Sequence, residues 1–344
     1  MILWTDSNEH GVFMRQRVLG RTGLKVGELS LGGAFVTRGD TGFEGALPVV
    51  RRALELGMNL ADTSADYGDS EEAVGWALHE VGKPCIVSTK LGPPGDWPDF
   101  NPKDMGHLRG VVERSLKNLR RDAIDILMVH EPDRPGQLNW YDDGLSFQGP
   151  VVDLLHELKE KGLVKHTGLG GTTVHELTRL VATGAYDVVL TAFNSSPLWR
   201  DALSTVIPEA SRRGMGVLLA SPTQQGWLVR KYEEEVARGA PWLSPPRRAQ
   251  LKALYRFVDE IGLELPVLCL RWALGVEGVS TVLTGPRNVA QLEQNVQAVA
   301  QGPLPADIAA RLDEIAAMVP HRPFEEPAGC RFGNRDYWGP GRLR

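Results

Sequence analysis

Residues 59–90 read NLADTSADYGDSEEAVGWALHEVGKPCIVSTK. Two apolar runs flank a helix-like segment; Asp62 closes the first run, Lys90 closes the second, and Tyr67 lies in the loop between them. A strand, a helix and a second strand in about thirty residues form the unit from which parallel sheets are built. A carboxylate, a phenol and an ammonium at strand ends supply a proton donor whose acidity is set by charge. An ammonium against the phenol stabilises phenolate, so the Tyr67 pKa is expected to fall from about 10 toward neutrality, with Asp62 holding Lys90 in place. Further on, AIDILMVHEPD puts His130 at the end of another apolar run, where a ring N–H would meet the oxygen of a bound carbonyl.

The same alternation runs through the chain. Eight short apolar runs, VGELSLGG, MNLADTS, CIVSTKL, DILMVHE, KHTGLGG, DVVLTAFN, GVLLASP and VSTVLTG, read as strands. Amphipathic segments such as LPVVRRALELG, SEEAVGWALHEVG, LRGVVERSLKNL and VVDLLHELKEKG separate them, and Gly57, Gly82 and Gly162 stand where helix C-caps favour left-handed backbone. Ahead of the first strand, MRQRVLGRTGLKV with its Arg21-Thr22-Gly23 turn reads as a β-hairpin plugging a barrel floor. An open doubly wound α/β sheet fits the alternation too. Eight strands, and no GxGxxG loop after the first, favour a closed (β/α)8 barrel.

In a closed barrel the long βα loops all open on one face. Gly92 to Pro102 carries Trp97 and Phe100; Pro132 to Pro150 carries Trp140, Tyr141 and Phe147; Gln225 to Pro246 carries Trp227, Tyr232 and Trp242. Taken together these rings suggest flat apolar walls for a substrate, with Trp97, Trp140 and Trp227 as the substrate-binding candidates. Taken singly, each ring reads first as a pin that holds its own loop to the barrel rim, and the pocket reading belongs to the set.

LGRTGLKVGELSLGG, ADTSADYGDSEEAVGWAL, STKLG, SLKNLRRDAIDILMVHEPD, KGLVKHTGLGG and TVLTGPRNVAQLEQNVQAV, in that order, resemble the successive signatures of the aldo-keto reductase family over Arg17 to Val319. The resemblance implies a (β/α)8 TIM barrel that transfers hydride between a nicotinamide cofactor and a carbonyl or alcohol. It also implies that Tyr67 is the general acid, with Asp62, Lys90 and His130 as its partners. Alone, Asp62 reads as a cap, Lys90 as a salt-bridge partner and His130 as a core histidine; their joint spacing argues against that.

GPRNVAQLEQN is similar to the family's adenosine-phosphate segment, implying cofactor contacts at Gly285, Arg287, Gln291 and Asn295; on the nicotinamide side the candidates are Asn194, to which carboxamide binding could pass, and Ser221. A helix beginning near Asn288 offers free N–H groups to phosphate, and Arg287 adds a guanidinium fork, so NADP(H) is expected over NAD(H). The chain departs from the common pattern in several places. Gly285 and Gln291 stand where many members have a lysine and a second arginine, and Gln294 replaces a glutamate. Gly170-Gly171 replace a serine and an asparagine, Ala220 a stacking tyrosine, and Leu190 a glutamine. Similar replacements at the stacking position occur in the sugar-dehydrogenase-like branch, which the ASPTQQGWL segment also resembles.

Composition agrees with this reading. At 344 residues the chain suits one barrel with long loops, and a net charge of −5 argues against nucleic acid or an anionic membrane as partner. Cys85, Cys269 and Cys330 are too scattered for a disulfide framework or a zinc site, which points to no metal and to the reducing cytoplasm. Neither a signal peptide nor a membrane span is expected. The expected organisation is an N-terminal extension (1–16), a barrel (17–319) and a tail (320–344). Phe332, Tyr337 and Trp338 suggest that the tail packs at the barrel mouth or in an oligomer contact. The partner expected is a small carbonyl or alcohol. A non-catalytic, nicotinamide-binding regulatory barrel is the alternative, and the presence of both Tyr67 and Lys90 weighs against it.

Overall fold

A computed structural model of the chain describes residues 14–39, 42–134, 139–240 and 243–320. A hairpin of β1 (Gln16–Val18) and β2 (Lys25–Gly27) precedes eight parallel strands: β3 (Leu29–Gly32), β4 (Leu60–Asp62), β5 (Ile86–Leu91), β6 (Ile124–His130), β7 (Val164–Gly171), β8 (Val188–Ala192), β9 (Gly216–Ala220) and β10 (Thr281–Thr284). They close in chain order, with β10 pairing both β9 and β3 through registers that include Val282↔Leu29. All eight expected strands are present, and the closed barrel displaces the open sheet. Its strands read as near-continuous apolar runs because helices cover one face and the barrel interior covers the other. Four of the helices, Ala46–Glu55, Ser70–Val81, Met105–Leu119 and Pro150–Glu160, fall on the expected segments. Gly57, Gly82 and Gly162 all have positive φ beside helix ends.

Inside the barrel, Leu60, Ile126, Met128, Val188, Leu190, Leu218 and Leu283 form an apolar cluster, closed from below by Leu19 and Val26 of the hairpin. Leu19 lies so close to Gly216, at the start of β9, that a Cβ there would sit 2.6 Å from its side chain. The backbone N–H of Arg21 donates to Gly214 O at 2.6 Å, and its guanidinium donates to Gly184 O and Tyr186 O. The hairpin therefore plugs the floor at the N-terminal ends of the strands, as its sequence suggested. The other end of the barrel is left open to its loops.

The expected N-terminal extension and the aromatic tail fall almost wholly outside the described residues, as does Trp242. Among the described residues no helix is long and apolar enough to cross a membrane.

Candidate active site

Parallel register sets the site. Asp62 on β4 pairs with Ser88, two residues before Lys90 on β5, and Lys90 pairs with Met128, two residues before His130 on β6, so the three polar residues stand at the C-terminal ends of three adjacent strands. Lys90, 1 % exposed, donates from Nζ to Asp62 Oδ2 at 2.6 Å and to Thr63 O at 2.7 Å. The second Asp62 oxygen accepts from Ser88 Oγ at 2.9 Å. Loss of hydration works against the Lys90 charge, but Asp62 and then Tyr67 more than offset it, so its pKa is raised and it remains an ammonium.

Tyr67 is half-buried over this pair. Lys90 Nζ lies 4.8 Å from its ring centroid, and the His130 ring meets it edge-on at 5.5 Å. Burial pushes the phenol up to about 12, and Asp62, Asp66 and Glu131 reinforce that against the downward pull of Lys90. The sequence-based expectation of a phenol near neutrality is thus corrected. One ammonium, already balanced by its own carboxylate, does not outweigh desolvation and the surrounding acids. Around neutral pH Tyr67 is a phenol, a proton donor.

His130 has a neighbour that the sequence analysis passed over. Asp66 Oδ1 lies 3.0 Å from His130 Nδ1, and Ser64 Oγ lies 3.1 Å from the same nitrogen while donating to Asp66 Oδ1 at 2.7 Å. Loss of hydration pulls the Asp66 carboxyl upward, but the bond to His130 and its charge, with Ser64 and Lys90, hold it below the usual carboxylate range. The signal was available in the sequence: a carboxylate directly precedes Tyr67 in the same short loop.

Gly170 and Gly171 on β7 stand where a side chain would be crowded. A Cβ at Gly171 would sit 2.5 Å from Asp133 Oδ2 and 2.8 Å from Leu177 Cδ1, and one at Gly170 would press on the Lys90 stem at 3.3 Å. Asp133 occupies that space because it accepts the N–H groups of Thr172 and Thr173 at 2.7 and 2.5 Å, at the start of the helix Val174–Ala182. Burial raises the Asp133 pKa to about 6. Asn194 gives its amide N–H groups to Thr172 O and Ala192 O at 2.8 and 2.9 Å, tying the ends of β7 and β8 together. Leu190 and Ala220 line the apolar interior with Phe193 half-buried against them. Immediately after β6, β8 and β9, Glu131, Phe193 and Ser221 have φ of 47°, 65° and 56°, so strained backbone gathers on the open face.

At the end of β10 the helix Val289–Ala300 begins with Asn288 as its N-cap, accepting from Gln291 N at 2.9 Å. Gln291 Oε1 in turn accepts from Arg287 N, and Asn295 Nδ2 donates to Thr284 Oγ1 at 2.7 Å, so both side chains are engaged in holding this turn. Arg287 is exposed, with its guanidinium 5.7 Å from the Phe35 ring, and Phe35 itself packs on Gly285. Arg38 lies over the same ring at 5.4 Å. A second guanidinium therefore reaches this turn from the loop after β3, a placement invisible in the local motif. A helix N-terminus with two guanidiniums beside it fits a nucleotide phosphate.

The three tryptophans expected around a substrate are not equivalent. Trp140 and Trp227 are each 1 % exposed; Trp140 packs on Phe100 and Trp227 edge-on to Trp199. Both serve to pin their loops, which corrects their placement on a pocket wall: an indole is worth more buried in the loop base than left at a wet rim. Trp97 is half-buried against His107 and Gly110, on the helix Met105–Leu119. Among the described residues no group of three or more His, Cys, Asp or Glu side chains is arranged to hold a metal.

Comparison with known proteins agrees with this geometry. The chain is 31% identical over 300 residues to the L-galactose dehydrogenase of Arabidopsis thaliana, an alignment covering 83% of this chain and 88% of that protein. It is 27% identical over 334 residues to a putative voltage-gated potassium channel subunit beta of Schizosaccharomyces pombe, covering 88% and 94%. The fold matches that of an aldo-keto reductase from Bacillus halodurans in its holo form with a TM-score of 0.72, at 24% identity, over 88% of this chain and 96% of that one. The model of the Aldo/keto reductase family matches residues 28–317, nearly the whole barrel, and the chain belongs to that family.

Proposed function

We propose that this protein is an NADP(H)-dependent oxidoreductase that interconverts a small carbonyl compound and its alcohol, with Tyr67 as the proton donor. One observation carries the proposal: Lys90, anchored on Asp62 at 2.6 Å, lies 4.8 Å from the Tyr67 ring, with His130 edge-on at 5.5 Å. The nicotinamide supplies hydride when bound. The chain's own residues do the rest: Tyr67 gives its proton to the carbonyl oxygen as negative charge develops there, and His130 orients that oxygen. Lys90 and Asp62 hold the phenol in place. A phenol that stays protonated through neutral pH favours the reductive direction.

Arg287 and Arg38 are the proposed contacts for the ribose 2′-phosphate, with Gly285 allowing close approach and Gln291 and Asn295 shaping the turn. Asn194, which ties the ends of β7 and β8, and Ser221, immediately after β9, are assigned to the nicotinamide end. Trp97 is the ring left to border the substrate. Kinship with an L-galactose dehydrogenase makes aldoses and related hydroxy-carbonyl compounds the first substrates to test.

Relatives named as channel subunits support a second reading, a regulatory barrel that binds nicotinamide without rapid turnover. Following NADPH absorbance with a panel of aldoses, aldehydes and ketones separates the two. Turnover by the wild type that is lost in Tyr67→Phe supports the enzyme. NADPH binding without turnover of any carbonyl supports the regulatory reading.

A further inference from the structure

Three atoms meet around His130 Nδ1 in an arrangement that the reaction, as described above, does not require. Asp66 Oδ1 is 3.0 Å from it, Ser64 Oγ is 3.1 Å from it, and Ser64 Oγ is 2.7 Å from Asp66 Oδ1. The carboxylate sets the pattern. The Asp66 carboxylate has no hydrogen to give, and the single hydroxyl hydrogen of Ser64 goes to Asp66. A bare Nδ1 would set its lone pair against the Asp66 carboxylate oxygen at 3.0 Å, so Nδ1 carries the hydrogen, shared between the two oxygens. The imidazole is then locked as the Nδ1–H tautomer, with Nε2 left for the substrate oxygen.

This has a chemical consequence for a carbonyl. A neutral Nδ1–H imidazole has a bare lone pair at Nε2, which repels a carbonyl oxygen; only the doubly protonated ring offers it an N–H. We infer that Asp66 is a positioning residue: by holding the proton on Nδ1 it makes His130 Nε2 a donor only when the ring is an imidazolium, and an acceptor when the ring is neutral. The inference rests on the proposed carbonyl–alcohol chemistry. In reduction, hydride goes to the carbonyl carbon, the C=O π pair takes the Tyr67 proton, and the phenolate is reprotonated from solvent. His130 keeps both of its protons and steadies the oxygen. The opposite direction retraces this path: the alcohol gives its one hydroxyl hydrogen to the Tyr67 phenolate while the imidazolium holds the oxygen.

Other charges face this group. Asp66 is near Ser64 in its own loop, Lys90 on β5 and His130 on β6. Tyr67, beside His130, faces Lys90, Asp62, Asp66 and Glu131. Lys90 is matched by Asp62 and Glu131 by Arg134, at 2.6 Å each, which leaves Asp66 as the carboxylate in direct contact with His130. Asp66 is 32 % exposed, so its side chain can be changed without opening the core.

Nitrogen-15 NMR of histidine-labelled protein, with His130 assigned by difference against His130→Gln, reads the tautomer without needing activity. In the neutral ring the wild type should show a protonated Nδ1 and a pyridine-like Nε2. Asp66→Asn, whose amide can donate to Nδ1, should shift the population toward Nε2–H, and Asp66→Glu should restore the wild-type pattern. In kinetics, reductive kcat/KM of the wild type should fall at least tenfold between about pH 6 and about pH 9, whereas Asp66→Asn should lose less than threefold across the same range. An Nε2–H tautomer in the wild type overturns the inference, and so does a tautomer and alkaline limb unchanged in Asp66→Asn. If no carbonyl is turned over by any form, the proposed function fails, while the NMR arm still decides the role of Asp66.

Discussion

Replacing Lys90 with Met removes half of a charge pair whose atoms lie 2.6 Å apart, both side chains buried. At that distance and an effective dielectric of about 20 the attraction is about 6 kcal/mol, while stripping water from each ion costs several kcal/mol. The intact pair is therefore close to balanced, and the damage in the variant comes from what is left behind. Met retains most of the stem that packs near Gly170, but among the described residues Asp62 keeps only the Ser88 hydroxyl against its charge. An orphaned buried carboxylate of this kind costs about 3–5 kcal/mol. The sign with pH follows. The cost belongs to the bare charge, so it is full where carboxylates are ionised and smaller in acid. Removing both charges in Lys90→Met/Asp62→Leu should restore most of the stability. Urea unfolding followed by circular dichroism at pH 5 and pH 8, for the wild type, both single variants and the double, measures each quantity. A Lys90→Met protein as stable as the double variant at pH 8, or a deficit that does not narrow at pH 5, refutes the reasoning.

Tyr67→Phe should lower kcat at least about a hundredfold with NADPH affinity nearly unchanged, as stopped-flow turnover and fluorescence titration would read. Because the phenol's pKa lies near 12, the proton donor should persist through neutral pH, while alcohol oxidation should accelerate as pH rises toward that value; initial rates in both directions over pH 6–10 check the sign. Arg287→Ala and Arg38→Ala should each weaken NADPH binding by about 1.5–3 kcal/mol and NADH binding little, measured by titration with both cofactors. Gly171→Ser should lose about 1–3 kcal/mol in urea unfolding from crowding against Asp133 and Leu177, and Asp133→Ala in the same background should recover part of it.

The strands were legible because each is a short apolar run, and parallel strands covered on both faces can be little else. Asp62, Lys90 and His130 were legible because a strand end is a position that sequence can mark. Contacts that depend on chain segments far apart in sequence were not. Arg38 and Arg287 stand 249 residues apart and meet only over Phe35. The loop tryptophans could not be sorted into wall and anchor, since burial of a ring depends on what the rest of the loop does. Trp140 is buried by Phe100 from a different loop. The acidity of Tyr67 was misread for a related reason. Lys90 is visible in the motif, whereas desolvation and the fields of Asp66 and Glu131 are properties of the assembled pocket.

That charge balance has a consequence for how the site would be used. Tyr67 is flanked by one ammonium and by three carboxylates, those of Asp62, Asp66 and Glu131, with Asp62 already committed to Lys90. Such surroundings hold a neutral phenol and leave room for one more positive charge before phenolate becomes favourable. A reduced nicotinamide is neutral and leaves the phenol a donor, as carbonyl reduction needs. An oxidised nicotinamide is a cation, and its presence pulls the phenol toward the phenolate that alcohol oxidation needs. On the proposed reading, the cofactor's own charge, as well as its concentration, then selects the protonation state of Tyr67. The wild-type phenol should therefore titrate lower with NADP⁺ bound than with NADPH bound, a difference readable as a tyrosinate absorbance step near 295 nm that Tyr67→Phe abolishes. Identical titrations in the two complexes would show that desolvation alone governs this tyrosine.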